Sequence, residues 1–340
     1  MTGEQAVDEK IEGHKSMSEG DLPDRDWCRI AEKYIPNLSS CTIHRILEDT
    51  TDFYDVEYGD VLLLDGVGYL VRGTESEKKF GLEGEPKPWV KSCVDLITGE
   101  RKVIKLTFLE EFSCRIEGLD FNCLRNPQKE ASILEKVRGH EGFMQGFSVV
   151  DAGGNTVRVL DRIAGVSLDN VIQSIPGDHE RYYRERLPDI LERLATAYDA
   201  MADLHHMGEI HGDITPDHIF AETETGRYRW IDFDYDYKER DNAVARDLFE
   251  MGTLLGYAVG KGYLVWRTIK LRYPQIAERV RPQDMQAVFP SQLANLKLVY
   301  PYIHDELNRL LLRFSQGAGS VYYDAKILAE DMRRATRALR

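Results

Sequence analysis

The sequence predicts an α+β fold, with strands gathered in the first half of the chain and helices in the second. Between residues 53 and 160, short apolar runs alternate with polar residues and are punctuated by glycine turns, the pattern of half-buried strands. From residue 191 onward, apolar residues recur three and four positions apart over long stretches, the period of helices packed on a core. A chain of 340 residues, 42% apolar, can bury one two-lobed core or two domains.

Each element follows from its local pattern. Residues 1–23 are polar and mixed in charge, carry no signal-peptide core, and read as a disordered tail. Residues 24–35 place Trp27, Ile30, Ala31, Tyr34 and Ile35 on one helix face, and 53–73 reads as strand, glycine turn, strand. Residues 89–108 read as a hairpin: Val90, Ser92 and Val94 alternate before a Thr98-Gly99 turn, and Val103, Ile104, Lys105 and Leu106 follow it. Over 127–140, Glu130 shares a helix face with Ile133, Leu134 and Val137, so a carboxylate is aimed at the core. Such burial is costly without a partner; Lys105 is the obvious one, with Glu135 as the alternative acid.

Residues 147–172 read as two strands about a Gly153-Gly154-Asn155 turn, then a loop and a short helix. Residues 191–210 form a core helix through Leu194, Ala197, Tyr198, Met201, Ala202 and Leu204, ending near Gly208. His205 and His206 read there as helix-end residues favoured by the macrodipole, not as metal ligands. An apolar helix follows at 244–262. Residues 304–335 give a leucine-rich helix, a loop and a last helix, and Arg333, Arg334, Arg337 and Arg340 read as a solvated basic face.

The segments HGDITPDHIF (211–220) and WIDFDYDY (230–237) carry the chemistry. Each sets a carboxylate, Asp213 and Asp232, in an apolar run. Phosphoryl transfer needs two such groups: one to accept the proton of an attacking hydroxyl, one to hold a metal that neutralises charge on the transferred group.

These motifs resemble the protein-kinase-like superfamily, whose catalytic loop reads H-x-D-x-x-x-x-N and whose metal loop reads D-F-G. His211 and Asp213 match, His218 stands at the Asn position, and Asp234 stands at the Gly position. The resemblance covers about residues 65–335 and implies a two-lobed fold, with a small antiparallel-sheet N-lobe over 65–160 and a mainly helical C-lobe over 161–340. Residues 24–64 would be an N-terminal extension that caps the sheet or binds a regulatory partner. It further implies that Lys105, similar to the lysine of V-A-I-K, contacts ATP phosphates braced by Glu130, and that Asp213 is the catalytic base. Asp232 would hold Mg²⁺. Val90 and Leu160 would flank the adenine, the backbone from Asp161 to Ile163 would bond its edge, and Ser167 or Asp169 would reach the ribose. Asp247 is similar to the Asp of the D-x-x-x-x-G helix, which supports the catalytic loop through backbone N–H groups.

Three departures qualify the likeness. The phosphate loop, residues 78–90, has only Gly81 and Gly84 and two prolines, Pro86 and Pro88, which lack N–H donors. Asp247 follows Asp232 by only fifteen positions, too few for a long activation segment, and Gly212 replaces the arginine that pairs with an activation-loop phosphate. His218 offers nitrogen where Asn offers oxygen, which removes a metal site or shifts it toward Mn²⁺. Asp234 either adds an oxygen ligand, as in similar loops of small-molecule kinases, or belongs with Asp236, Glu239 and Asp241 to a solvated acidic turn.

The expected activity is that of an atypical protein kinase acting on a hydroxyl, with Ser/Thr as the favoured acceptor. The alternatives are a small-molecule kinase, favoured by the missing activation segment, and a pseudokinase scaffold, favoured by His218 and the poor glycine loop. A net charge of −14 argues against nucleic-acid binding. Five cysteines without C-x-x-C spacing suggest neither disulfides nor zinc, and no apolar run is long enough to span a membrane, so a cytoplasmic location is expected.

Overall fold

The alternation along residues 53–160 builds a seven-stranded sheet. The computed structural model describes residues 45–77, 85–116, 119–237 and 243–340, with Trp27 and Ile30. The tail, the rest of the helix expected at 24–35, Gly81, Gly84, Glu239 and Asp241 lie outside the described residues. Strands β1 (Ile46–Leu47), β2 (Val61–Leu64), β3 (Val67–Glu77), β4 (Glu85–Asp95) and β5 (Arg101–Lys105) lie in chain order. A hairpin of β6 (Glu111–Ile116) and β7 (Leu119–Arg125) comes next in the chain and stands apart from this sheet, which β8 (Gly146–Val150) and β9 (Thr156–Asp161) complete in the order β1-β2-β3-β4-β5-β9-β8. Every pairing in it is antiparallel except β1 with β2. The expected division between residues 64 and 65 falls at the turn of the β2–β3 hairpin, and that between 160 and 161 falls inside β9.

Register sorts the side chains. Val90 lies opposite Lys105, which lies opposite Arg158; Ser92 lies opposite Val103, which lies opposite Leu160. With a two-residue period these share one face of the sheet. Ile104, Leu106, Val157 and Val159 turn to the other face and join Tyr69, Val71 and Cys93 in a buried cluster. Val61, Leu70 and Leu96 form a smaller cluster, against which Trp27 and Ile30 pack. The described part of the extension thus covers the sheet.

The helices form a second, larger core. They are α1 (Pro127–Lys136), α2 (Leu168–Ser174), α3 (His179–Glu185), α4 (Leu187–His206), α5 (Ala243–Gly260), α6 (Trp266–Arg272), α7 (Pro274–Ala277), α8 (Asp305–Leu312) and α9 (Ala325–Arg337). Helix α1 starts where Asn126 accepts from the N–H groups of Gln128 and Lys129, with Pro127 at the first turn. Helix α4 begins four residues before the expected start, because Leu187, Pro188 and Ile190 extend its buried stripe. Arg333 pairs with Asp199, and Arg340 with Asp189 at 3.4 Å, so two of the arginines expected to be merely solvated tie the end of the chain to α4. No helix among the described residues is long and apolar enough to cross a membrane.

Strand β10 (Gly165–Ser167) pairs with β11 (Ile219–Glu222), which pairs with β12 (Tyr228–Trp230). These strands frame the two motif loops. Strand β13 (Tyr235–Tyr237), directly after the second motif, pairs with β7 of the separate hairpin.

Candidate active site

Lys105 ends β5, and its ammonium lies 2.8 Å from Oε1 of Glu130 in α1. The expected pair is present, and Glu135 is left exposed. Glu130 is fully buried and also accepts from Nε of Arg158 at 3.1 Å; Arg158 in turn donates to the carbonyls of Leu106 and Thr156. Burial alone would lower the Lys105 pKa, but Asp232, Asp234 and Glu130 raise it, so it stays a cation.

Lys105 also donates to Asp232. Asp232 takes a left-handed backbone conformation, φ +70°, which aspartate tolerates better than most residues. Lys87 approaches its other oxygen at 3.5 Å. Burial would raise the Asp232 pKa, but Lys105, with Lys87, His218 and Arg125, holds it well below the usual carboxylate range. Asp234 is fully buried, with one oxygen 2.7 Å from Nη1 of Arg125 and the other, Oδ1, without a hydrogen-bond partner. Asp236 is buried too. The solvated acidic turn is therefore not what its described members form.

Asp213 lies beside this group and keeps 31% of its side-chain exposure. Burial by its surroundings raises its pKa against the opposing pull of His218. His218 bonds the carbonyl oxygen of Asp213 at 2.7 Å through Nδ1, and faces Asp232 at 3.5 Å through Nε2. Although burial opposes it, Asp213, Asp232 and Asp217 push the His218 pKa up to about 9. These carboxylates favour the protonated ring, a cation between Asp213 and Asp232 that in this form has no lone pair for the metal expected here.

The loop bearing Asp213 is held from several sides. Asp247 accepts from the N–H groups of His211 at 2.7 Å and Gly212 at 3.0 Å, as expected, and Glu250 one turn later accepts from that of Ile214 at 3.0 Å. His205 is more than a helix-end residue, since its Nε2 lies 2.9 Å from Asp247. Lys129 donates to the carbonyls of His211 (2.8 Å) and Tyr235, and the Tyr237 hydroxyl donates to that of Gly212. Gly212 has φ +89°, and a Cβ there would lie 2.5 Å from the carbonyl oxygen of Tyr235 and 3.2 Å from Nζ of Lys129. Strand β13 and Lys129 thus fill the space that an arginine at this position would enter.

A cleft of about 390 Å³ lies between the sheet and the helices. Val90, Val103, Met144, Leu160, Ile163 and Ile231 give it an apolar wall; Lys87, Lys105, His218 and Asp232 give it a charged one. Ser167, Asp169 and Asp161 also line it. The N–H of Asp161, expected among the groups bonding the adenine edge, is taken by the carbonyl of Gln145 at 2.9 Å, and its carboxylate pairs with Lys102. Asp213 does not line this cleft and is connected to it through His218.

Among the described residues, no three His, Cys, Asp or Glu side chains form a preformed metal site. Asp232 and Asp234 nevertheless supply the hard oxygen donors that Mg²⁺ prefers, and the unpartnered Oδ1 of Asp234 is the atom with coordination capacity to spare. No protein-family profile matches the chain, and no curated protein matches it.

Proposed function

We propose that the chain is an ATP-dependent phosphotransferase with a two-lobed, protein-kinase-like fold, acting on a hydroxyl acceptor in the manner of an atypical Ser/Thr protein kinase. The observation that carries this is the chain of contacts from Arg158 and Glu130 through Lys105 to Asp232, with Asp213 one residue, His218, away. A scaffold has no chemical need to bury Lys105, Asp232 and His218 at the wall of a cleft, with Glu130 and Arg158 behind them, where each charge costs several kcal/mol to desolvate.

In this reading the apolar wall takes the base, and Lys105 and its neighbours take the phosphates. Asp213, its pKa raised by burial, accepts the proton of the acceptor hydroxyl as that oxygen attacks the γ-phosphorus in line, the bond from that phosphorus to the β–γ bridging oxygen breaks, and ADP leaves with that oxygen. Asp232 and Asp234 would hold Mg²⁺, or Mn²⁺, which supplies charge neutralisation on the phosphoryl oxygens. His218 fixes Asp213 by bonding its carbonyl and balances its charge. Asp247 and Glu250 keep the loop in place without an activation segment.

A small-molecule acceptor is the second reading, favoured by the pairing of β13 with β7, which occupies the stretch after the metal loop. Incubation with γ-labelled ATP and Mg²⁺ is expected to give labelled product from a Ser/Thr peptide library. Label found only on small hydroxyl compounds selects the second reading, and no acceptor-dependent transfer in either set contradicts both.

A further inference from the structure

Lys87 is a cleft cation that the catalytic motifs leave unassigned. It sits in β4 between Pro86 and Pro88, which have no N–H for the ladder or for a ligand. The ladder shows the consequence. Thr74 pairs with Lys91 and Ser76 with Pro86, so a single residue of β3 is opposed by residues 87–90 of β4. The bulge re-aims the strand, as bulges beside binding sites do. Lys87 consequently enters the same cleft as Val90, with a side chain only 17% exposed.

Its position is informative. Nζ of Lys87 lies 3.5 Å from Oδ2 of Asp232, while Lys105 holds Oδ1 of the same carboxylate. Two ammonium groups thus converge on one carboxylate from β4 and β5. The Lys87 contact is longer than the 2.7–2.9 Å or so of a charge-assisted hydrogen bond, so the ammonium is not locked onto Asp232 and can reach an anion beside it. A four-carbon stem lets it follow such a partner.

Resting on the phosphotransferase reading, we infer that Lys87 binds the polyphosphate of the nucleotide, supplying by a side-chain cation what Pro86 and Pro88 cannot supply as backbone N–H donors. The nucleotide is then gripped by two lysines on adjacent strands, Lys105 and Lys87, with Asp232 between them. On binding, phosphate oxygens take over the ammonium of Lys87. Asp232 keeps Lys105 and gains room at Oδ2.

The test is calorimetric titration of ATP and of adenosine, both with Mg²⁺, into the wild type, Lys87→Met and Lys87→Arg. Lys87→Met is expected to weaken ATP about tenfold to a hundredfold, the value of one charge-assisted hydrogen bond, and to leave adenosine unchanged. Lys87→Arg, which keeps the charge, should stay within about threefold of the wild type. ATP binding to Lys87→Met as tight as to the wild type, or tighter, overturns the inference and leaves the phosphotransferase reading standing. Loss of adenosine along with ATP also overturns it, since Lys87 would then shape the cleft rather than hold phosphate. A wild type that binds neither ligand removes the phosphotransferase reading and this inference together.

Discussion

Asp213→Ala is expected to lower phosphoryl transfer by about 10²–10⁴, the usual contribution of a general base, while ATP affinity stays within about threefold. The separation follows from geometry: Asp213 lies outside the cleft lined by Lys105 and Asp232 and is joined to it through His218. The loop should survive, because its anchors are the carboxylates of Asp247 and Glu250 and not the Asp213 side chain. Removing that carboxylate also takes away one of the charges that hold the His218 proton, so the His218 pKa should fall from about 9 toward its ordinary value. In the proposed mechanism Asp213 works as a base only when ionised, and burial raises its pKa. Transfer should therefore decline on acidification at a higher pH than an unperturbed aspartate would give, and recover as pH rises. Single-turnover transfer followed against pH, with binding measured separately, checks all of this. Unchanged transfer in the variant would remove Asp213 from the mechanism.

Glu130→Ala carries the largest expected stability effect. Glu130 is fully buried between Lys105 and Arg158. Lys105 would keep Asp232, but Arg158, itself fully buried, would be left with two carbonyls and no counter-charge. Breaking a buried pair by removing one partner costs about 3–5 kcal/mol. Urea unfolding should show a lower midpoint with an unchanged slope. Replacing both members, Glu130→Leu with Arg158→Met, should recover most of the loss, because no unpaired charge remains. The double variant should still bind ATP weakly, since Lys105 has lost its brace. Full ATP affinity in that variant would show that the pair serves stability alone.

How far these residues were legible depends on whether their partners are fixed locally. Lys105 and Glu130 could be paired from sequence because strand alternation and helix spacing each fix a face, and two buried opposite charges need one another. Asp247 was legible only through its likeness to the Asp of the D-x-x-x-x-G helix. Arg158 carried a signal that went unread: a charge flanked by Val157 and Val159 at the centre of an apolar strand. Arg125, Lys129 and Tyr237 could not be read, because their roles depend on the non-local pairing of β13 with β7 and on the placement of the 111–125 hairpin, which has no strong period of its own. Lys87 was hidden by the two prolines, which read as gaps in the N–H donors of a phosphate loop and lie instead in a bulged strand. Asp234 left two readings open, an oxygen ligand or part of a solvated acidic turn with Asp236, because three aspartates in five residues look solvated; Arg125 and the β13 ladder bury both.

The central claim is that Asp232, with Asp234, organises a nucleotide–metal site in the cleft. The most direct test is the unfolding temperature of the wild type and of Asp232→Asn, each with and without ATP and Mg²⁺. A ligand at about a hundred times its dissociation constant adds roughly 2.7 kcal/mol, which for a chain of this size raises the midpoint by several degrees. The account predicts that rise in the wild type, dependent on the metal, and its loss in Asp232→Asn. No rise in the wild type with either Mg²⁺ or Mn²⁺, or an equal rise in the variant, would contradict it.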